Sequence, residues 1–398
     1  MKKFLVFGFA LALVLAWITD AEAITAWSRK YGADCSMCHW KQNKLNATGK
    51  EFLKRGHRMA GESGKAKEGG VWNNISDYVS LTEKIRVQSE QGSSRPGFYV
   101  EALALYSGGP IDDKFSYFFE QYLHENNKSG ADREKLAEAY LEYTSSDDAD
   151  FWIARIGQIS PNLMHIYGTG GRLSISRPYV LESASFASNN PYAPRGRQYG
   201  VEVGANVWDT FGVLGVVNGT GHKIINPPGD TNAAKDFYAT VEKVFDANGS
   251  SVGFYGYKGT WQLTPTVATD TGISTTYLST AETNFYQLGL LGNYTLDRVS
   301  VLGGVLAGVN TPTGGTETNN LGYYVQCDLA LGEKAAVFGR YDNWDGNTAT
   351  ANNETQQLAA GFSVEPLSSG RVALEGSATK TGTAAFTTKA VLETQYMF

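Results

Sequence analysis

Apolar and polar side chains alternate in segments of about ten residues from residue 78 through residue 398, and this pattern most constrains the fold. Such alternation is typical of antiparallel strands with one face in lipid and the other in water. The pattern predicts sixteen strands, over residues 78–88, 98–106, 114–124, 135–144, 150–157, 198–207, 211–218, 236–245, 250–258, 284–295, 299–309, 321–331, 334–342, 355–365, 371–378 and 388–398.

The connections between these segments alternate between long and short. One set runs from 9 residues (89–97) to 40 residues (158–197), and the other from 2 residues (332–333) to 7 residues (107–113). Outer-membrane barrels have long outer loops and short inner turns, whereas a secreted β-sandwich has no reason for this rhythm. The predicted fold class is therefore all-β, a 16-stranded antiparallel outer-membrane β-barrel over 78–398. Strand ends assigned from alternation carry errors of about two to four residues, so 14 or 18 strands are the alternatives.

Residues 1–23 have the pattern of a signal peptide. Lys2 and Lys3 precede an apolar run over 4–18, and the segment closes on Ala-Glu-Ala at 21–23, which predicts cleavage after residue 23. A retained membrane anchor is the alternative, but the apolar run is short for a spanning helix. No later stretch approaches the ~20 apolar residues of a membrane helix, which excludes a helical membrane protein. The formal net charge of -6 gives no basic excess, so we expect no nucleic-acid partner.

The sequence Cys35-Ser36-Met37-Cys38-His39 is a C-x-x-C-H motif. In this motif two thiols form thioether bonds to the vinyl groups of haem, and the adjoining imidazole coordinates the iron. The motif predicts one covalent haem c, held by Cys35 and Cys38, with His39 as the proximal ligand. The alternative, a redox dithiol of the thioredoxin type, needs an α/β unit around the motif, and the sequence predicts none there.

A distal ligand for the iron is expected nearby. Residues 44–59 predict a loop and then a helix with Thr48 as its N-cap. His57, at the end of that helix, is the predicted distal ligand; Met59 is the alternative, and a five-coordinate iron is a third. The non-ligand interpretation of His57 is a solvated imidazole at a helix end.

The segment 24–72 is too short to bury a self-sufficient core, so we expect haem and the rest of the protein to complete it. The Gly-, Lys- and Glu-rich stretch 61–70 predicts a flexible tether that spans about 18 Å, enough for this α-helical segment to tuck into an adjacent cavity. The aromatic residues predicted to cover the haem are Trp27, Tyr31, Trp40 and Phe52.

The alternation also predicts which side chains line the water-filled lumen. We expect solvation and cross-strand pairing for the charged ones, in preference to a metal path. Glu83 and Lys243 fall on the lipid face, which predicts a membrane interface or a register slip there. Cys327 lies in an apolar row and is expected to face lipid as a small hydrophobe. The charged residues predicted in the lumen are Glu120, Glu138, Glu142, Arg155, Glu202, Arg340, Asp342, Arg371 and Glu375.

Three other histidines are candidates for contact with a metal or an external ligand. His124 is predicted at the outer end of a strand on the lumen side, and His165 and His222 lie in outer loops. Their spacing does not match a metal-ligand set, and a luminal histidine is more often polar lining.

The chain resembles the fused monohaem cytochrome-porins of the outer membrane, whose characterised members are iron oxidases of iron-oxidising bacteria. The resemblance covers the signal, the motif at 35–39, the stretch 45–52 with the following Gly56-His57, and the barrel; only the haem motif is specific. It implies that Cys35 and Cys38 hold the haem and that His39 is the proximal ligand. It also implies electron transfer across the outer membrane, with an extracellular donor such as Fe(II) and a periplasmic cytochrome as partners. The resemblance does not fix the distal ligand.

A single haem can bridge an apolar band ~25 Å tall only from within the barrel. Both ends of an even-stranded barrel lie on the periplasmic side, so we expect the haem segment within the lumen or at its periplasmic mouth. Three alternatives remain: a passive porin with a haem plug, export of electrons to external acceptors, and a sensor or catalytic haem with an open axial site.

Overall fold

The structure is a computed structural model. The predicted signal peptide, most of the predicted tether, His165 and His222 lie outside the described residues. These are 26–61, 74–93, 95–126, 135–146, 148–161, 172–182, 186, 190, 192–219, 234–262, 266–269, 272–275, 282–367 and 369–398.

The N-terminal segment, residues 26–61, contains two short helices and a β-hairpin. Helix α2 begins after Asn46, whose side chain accepts a hydrogen bond from the N–H of Gly49 at 3.0 Å. The predicted N-cap, Thr48, is wrong by two residues because the Asn46 side chain already satisfies an exposed helix N–H. The elements are α1 (Ala26–Tyr31), β1 (His39–Lys41), β2 (Lys44–Leu45) and α2 (Ala47–Lys54).

Sixteen antiparallel strands then close into a barrel, in which the last strand pairs with the first. The predicted fold class and strand number are confirmed. The barrel strands are β3 (Val79–Glu90), β4 (Gly97–Pro110), β5 (Phe115–Glu125), β6 (Lys135–Thr144), β7 (Phe151–Ile159), β8 (Gln198–Val207), β9 (Thr210–Val217), β10 (Asp236–Val244) and β11 (Ser251–Gln262). After a separate hairpin of β12 (Thr266–Thr269) and β13 (Gly272–Thr275), they continue with β14 (Glu282–Leu296), β15 (Val299–Pro312), β16 (Thr318–Ala330), β17 (Ala335–Asp345), β18 (Thr355–Leu367), β19 (Gly370–Thr381) and β20 (Thr387–Met397).

The two ends of the barrel differ in their connections. At one end, called the turn end, strands are joined by turns of two to six residues, such as 208–209 and 297–298. At the other, the loop end, the connections run from five residues (313–317) to 38 (160–197). The N-terminal segment lies in the turn end: Trp40 donates to the carbonyl of Asp297 at 3.2 Å, and Arg58 to that of Asp113 at 2.7 Å. We call residues 26–61 the plug.

The two faces of the strands divide as the alternation predicts. Cys327 is exposed on the outer face, beside the exposed side chain of Val325. Glu83 and Lys243 keep their outward positions, and Lys243 donates to the carbonyl of Trp208 in a short turn. Eight of the nine charged residues predicted in the lumen are buried. The ninth, Glu138, is partly buried and forms an ion pair with Arg197 there.

A β-bulge changes the alternation near the loop end of β5. His124 pairs with Leu103, whereas Tyr122 pairs with Ala104, so Leu123 is the extra residue. The bulge reverses the order of the two faces beyond it. Glu125 therefore lines the lumen in place of His124, whose Nε2 lies 3.2 Å from the carbonyl oxygen of Val100.

A segment of the connection between β7 and β8 folds back into the barrel. It includes the short helix α3 (Tyr179–Glu182), and we call its described residues within 172–197 the lumen loop. Ser174 donates to Gln326 at 2.9 Å, and Arg340 to the carbonyl of Ser176 at 2.7 Å. The plug and the lumen loop thus occupy the barrel from opposite ends. No helix in the described ranges is long and apolar enough to cross a membrane.

Candidate functional site

The C-x-x-C-H motif forms a 3-10 turn, Cys35–Met37, that leads directly into β1. Asn46 fixes this turn, because its side-chain amide donates to the carbonyl of Ser36 at 3.1 Å and to that of Met37 at 3.0 Å. Its backbone N–H donates to the carbonyl of Cys38 at 3.0 Å. Neither cysteine is in a disulfide and both are half-buried, and Asn46 holds the backbone between them.

Helix α2 packs against the motif through Gly49. A Cβ at this position would overlap the carbonyl oxygen of Cys38 and approach the side chain of Leu45. Only glycine allows this close approach, which places α2 and His57 beside the cysteines.

His57 follows α2 in a backbone conformation that non-glycine residues rarely adopt. Gly56 and His57 have φ of 66° and 63°, and the His57 N–H donates back to the carbonyl of Phe52 at 2.9 Å. This left-handed ending closes the helix and turns the imidazole toward the barrel wall. A Cβ at position 56 would overlap the hydroxyl of Ser116 in β5, so the plug contacts the wall here without a gap.

The His57 imidazole is held between two aromatic rings. Its ring centroid lies 4.8 Å from that of Trp27 in α1 and 4.5 Å from that of Phe118 in β5, both stacked. The side chain is 3% exposed, and its Nδ1 has no hydrogen-bond partner among the described residues. A buried ring nitrogen without a partner is unfavourable, and a bound ligand is one way to satisfy it.

The predicted haem residues line one cavity that opens to solvent. It extends from the plug to the lumen loop, and its apolar lining includes Trp27, Tyr31 and Phe52. The prediction for Trp40 is wrong, since this ring packs against Leu173 and Phe338 outside the cavity. The candidate attachment and ligand residues in its lining are Cys35, Cys38, His39, His57 and Met59.

Burial sets the protonation of these groups. It lowers the pKa of His57 to about 3, with a further contribution from Arg155, and lowers the pKa of His39 to about 4. Both imidazoles are therefore neutral at pH 7, the form that coordinates a metal. Burial raises the pKa of the Cys35 and Cys38 thiols.

These residues fit a covalently attached haem. Two thiols on one turn, two neutral imidazoles and an aromatic wall face a single cavity, and the buried Nδ1 of His57 has no partner in the part of the chain that the structure describes. The described residues contain no group of three or more His, Cys, Asp or Glu side chains that could hold a bare metal ion. Attachment by Cys35 and Cys38 and ligation by His39 and His57 stay predictions.

Three lysines of the plug dock it to the wall, and sequence reasoning missed all of them. Lys50 and Lys54 pair with Glu242 of β10 at 2.8 and 3.0 Å, and Lys44 pairs with Asp328 of β16 at 3.6 Å. Glu242 lies between Val241 and Lys243 in β10, so the local alternation signals its lumen position only weakly. Lys50 is 192 residues away from it in sequence, and no local pattern identifies the pair.

Arginines form the other side of the cavity. Arg86 of β3 pairs with Glu101 and Glu393 at 2.6 and 2.7 Å. The lumen loop contributes four more to the lining, which are Arg172, Arg177, Arg195 and Arg197. Their density within 26 residues that contain a single acidic residue, Glu182, was the available signal.

Comparison with known proteins bears on the barrel alone. No protein-family model and no curated protein matches the chain. Solved structures do match, over 80% of this chain. The anion-selective porin of Comamonas acidovorans has a TM-score of 0.59 at 11% identity, with 98% of that chain covered. The fold is that of a 16-stranded porin.

Two further structures agree with this porin fold. OmpT, an outer membrane protein of Vibrio cholerae, has a TM-score of 0.57 at 10% identity, with 96% of its chain covered. The outer membrane channel DcaP of Acinetobacter baumannii has a TM-score of 0.54 at 12% identity, with 96% covered. At such identities the likeness extends to the fold only. The resemblance to the cytochrome-porins is not tested by these comparisons and stays a prediction.

Proposed function

We propose that this chain is an outer-membrane cytochrome-porin that passes electrons between an extracellular donor and a periplasmic cytochrome through one haem c. The proposal is carried by one observation: the C-x-x-C-H motif and His57 line a cavity inside the barrel. A haem held there by Cys35 and Cys38 supplies reversible one-electron chemistry between the two barrel ends.

The outer membrane is the location that this barrel fits. Side chains on the outer face are apolar and exposed, among them Leu288, Leu290 and Val325, while charged side chains face inward. An apolar exterior around a polar interior suits lipid outside and water inside. The turn end then faces the periplasm and the loop end faces outward.

The chain's own residues perform three tasks in this function. Asn46 and Gly49 orient the thiols, and His39 is the proximal ligand. Trp27 and Phe118 hold the neutral imidazole of His57 as distal ligand, with Met59, which lines the same cavity, as the alternative. The aromatic side chains of the plug and the wall would shield one side of the haem, and low dielectric around a haem tunes its potential.

Access differs between the two ends. Met37, inside the motif, is 36% exposed at the turn end, so a periplasmic cytochrome can approach the attachment site closely. The external donor reaches the cavity from the loop end. The resemblance to iron oxidases points to Fe(II) as that donor.

A redox titration tests the proposal. Protein purified from a haem-attaching host is titrated with Fe(II) while its absorption spectrum is recorded. We expect one haem per chain and its reduction by Fe(II), and in liposomes with cytochrome c enclosed we expect that cytochrome to be reduced by external Fe(II). The variant with Cys35→Ser and Cys38→Ser is the control and loses both signals. A chain that binds no haem, or a haem that Fe(II) leaves oxidised, refutes the proposal.

A passive channel is the second candidate, favoured by the likeness to porin structures. Solute flux into liposomes distinguishes the two. Rapid flux with no reduction of haem by Fe(II) supports the channel. A haem midpoint potential below that of the external acceptor and above that of its periplasmic donor supports electron export instead.

A further inference from the structure

Two arginines of the lumen loop converge on one carboxylate in the cavity. Arg177 Nη1 lies 3.1 Å from Oε1 of Glu182 in α3, and Arg195 Nη1 contacts the same oxygen. Both arginines line the cavity that contains the C-x-x-C-H motif. The loop therefore carries a small cationic group into the lumen, opposite the plug.

This group has fewer carboxylates than three other arginines of the cavity. Arg86 pairs with Glu101 and Glu393, Arg155 with Glu142 and Glu202, and Arg197 with Glu120 and Glu138. Arg371 of β19 also lines the cavity, and it donates to the carbonyl of Leu173. By contrast, Arg177 and Arg195 share Glu182 within ion-pair distance. The pair thus has a positive surplus.

Water reaches this group only in part, since the Arg177 and Glu182 side chains are 26% and 37% exposed. The Arg195 side chain is 12% exposed, and the Nε atoms of Arg177 and Arg195 are buried without a hydrogen-bond partner in the described part of the chain. Burial, and then the neighbouring Arg177, lowers the pKa of Arg195. Although burial opposes it, Arg177 and Arg195 hold the pKa of Glu182 below its usual value. The two guanidinium groups thus have N–H donors that are not used within the described residues, and together they carry more positive charge than Glu182 neutralises.

Such a pair suits one class of ligand. The planar fork of arginine matches a carboxylate bidentately, and a partly desolvated positive surplus is unfavourable unless an anion compensates it. We infer that Arg177 and Arg195 form a binding site for a carboxylate ligand in the cavity. The carboxylate has two sources, a propionate of the haem or a free polycarboxylate that enters from the loop end. The first source rests on the proposed function; the second does not.

The experiment uses the full-length haem protein and two variants, Arg177→Gln and Arg195→Gln. Arg298→Gln, an exposed arginine in a short turn, is the matched control. The haem midpoint potential is measured in carboxylate-free buffer, and citrate binding is measured by calorimetry. The conservative variant Arg195→Lys keeps the charge and removes the fork.

The two sources give different results. With propionate in the site, the two Gln variants lower the midpoint potential, because a lost positive charge favours the more positive oxidised haem, and citrate does not bind. With a free ligand, citrate binds the wild type, each Gln variant weakens it roughly tenfold or more, and the potential without citrate is unchanged. The Arg195→Lys variant keeps most of the wild-type midpoint potential if propionate is the ligand. It loses affinity for citrate if a free carboxylate is the ligand. Arg298→Gln changes neither.

Unchanged potentials together with no citrate binding overturn the inference. Its failure is distinguishable from that of the proposed function, because haem content is measured first in every sample. If no haem is attached, citrate binding to the same protein still tests the site: saturable binding that Arg177→Gln and Arg195→Gln weaken supports it, and its absence overturns it.

Discussion

The imidazole of His57 stacks on the ring of Phe118 with 4.5 Å between centroids and 11° between planes. His57 belongs to the plug and Phe118 to barrel strand β5, so the proposed distal ligand is oriented by the wall. Under the proposed function, plug position and haem ligation are therefore coupled.

Replacing His57 tests the ligand assignment. We expect His57→Ala to convert a low-spin haem spectrum to a high-spin one, because the sixth ligand is lost. Absorption and electron paramagnetic resonance spectra measure this. Met59→Leu is the matched control and keeps the low-spin spectrum; the reverse result assigns Met59 as the ligand.

Removing the carboxylate that pairs with two plug lysines tests docking. Glu242→Gln leaves the Lys50 and Lys54 ammonium groups buried and uncompensated, and we expect docking to weaken by about 3–5 kcal/mol. Limited proteolysis should then cleave residues 26–61 faster while the barrel stays folded in gels. The control is Glu317→Gln, in an exposed connection at the loop end, in which the plug should be cleaved at the wild-type rate. Equal rates for both variants would show that these ion pairs do not hold the plug.

The pH dependence of docking tests Lys44. Burial lowers its pKa from 10.5 to about 8, despite the opposing effect of Asp328. Between about pH 8 and 10.5 the undocked plug binds more protons at Lys44 than the docked plug, so docking strengthens as pH rises, by up to about 1.4 kcal/mol per pH unit.

Proteolysis of the plug across this pH range measures the effect. We expect slower cleavage at higher pH, after correction for the protease's own pH profile, and a reduced slope in Lys44→Met. Lys41→Met is the control, since that ammonium is exposed and bonds the carbonyl of Glu333. A slope that Lys44→Met leaves unchanged assigns the effect to other groups.

The buried ion triad of the wall tests barrel stability. Arg155 donates to Glu142 at 2.6 and 2.8 Å and to Glu202 at 2.5 Å. Arg155→Met leaves two carboxylates buried without their cation and should destabilise the barrel by about 3–5 kcal/mol, measured as the free energy of unfolding in urea from lipid vesicles. Adding Glu142→Gln and Glu202→Gln should recover most of the loss. No recovery would assign the loss to packing instead.

Much of the barrel could be predicted because its strand faces are set by local alternation. The strand number, the outward position of Cys327 and the buried charges followed from this period. The error at His124 arose because the Leu123 bulge is decided by pairing with β4, which local alternation does not report. Thr48 failed as an N-cap because the helix begins earlier, where the Asn46 side chain caps the N–H of Gly49.

The sequence by itself determined a C-x-x-C-H motif, a nearby histidine and a closed barrel, because thioether spacing and strand alternation are properties of neighbouring residues. Only the tertiary structure decided that the plug lies within the barrel, that Phe118 orients His57, and that Lys50 meets Glu242. It also decided that Trp40 packs away from the cavity and that Arg177 and Arg195 enter it. The reason is physical: these contacts join residues far apart in sequence, and their energies depend on burial that only the closed barrel creates.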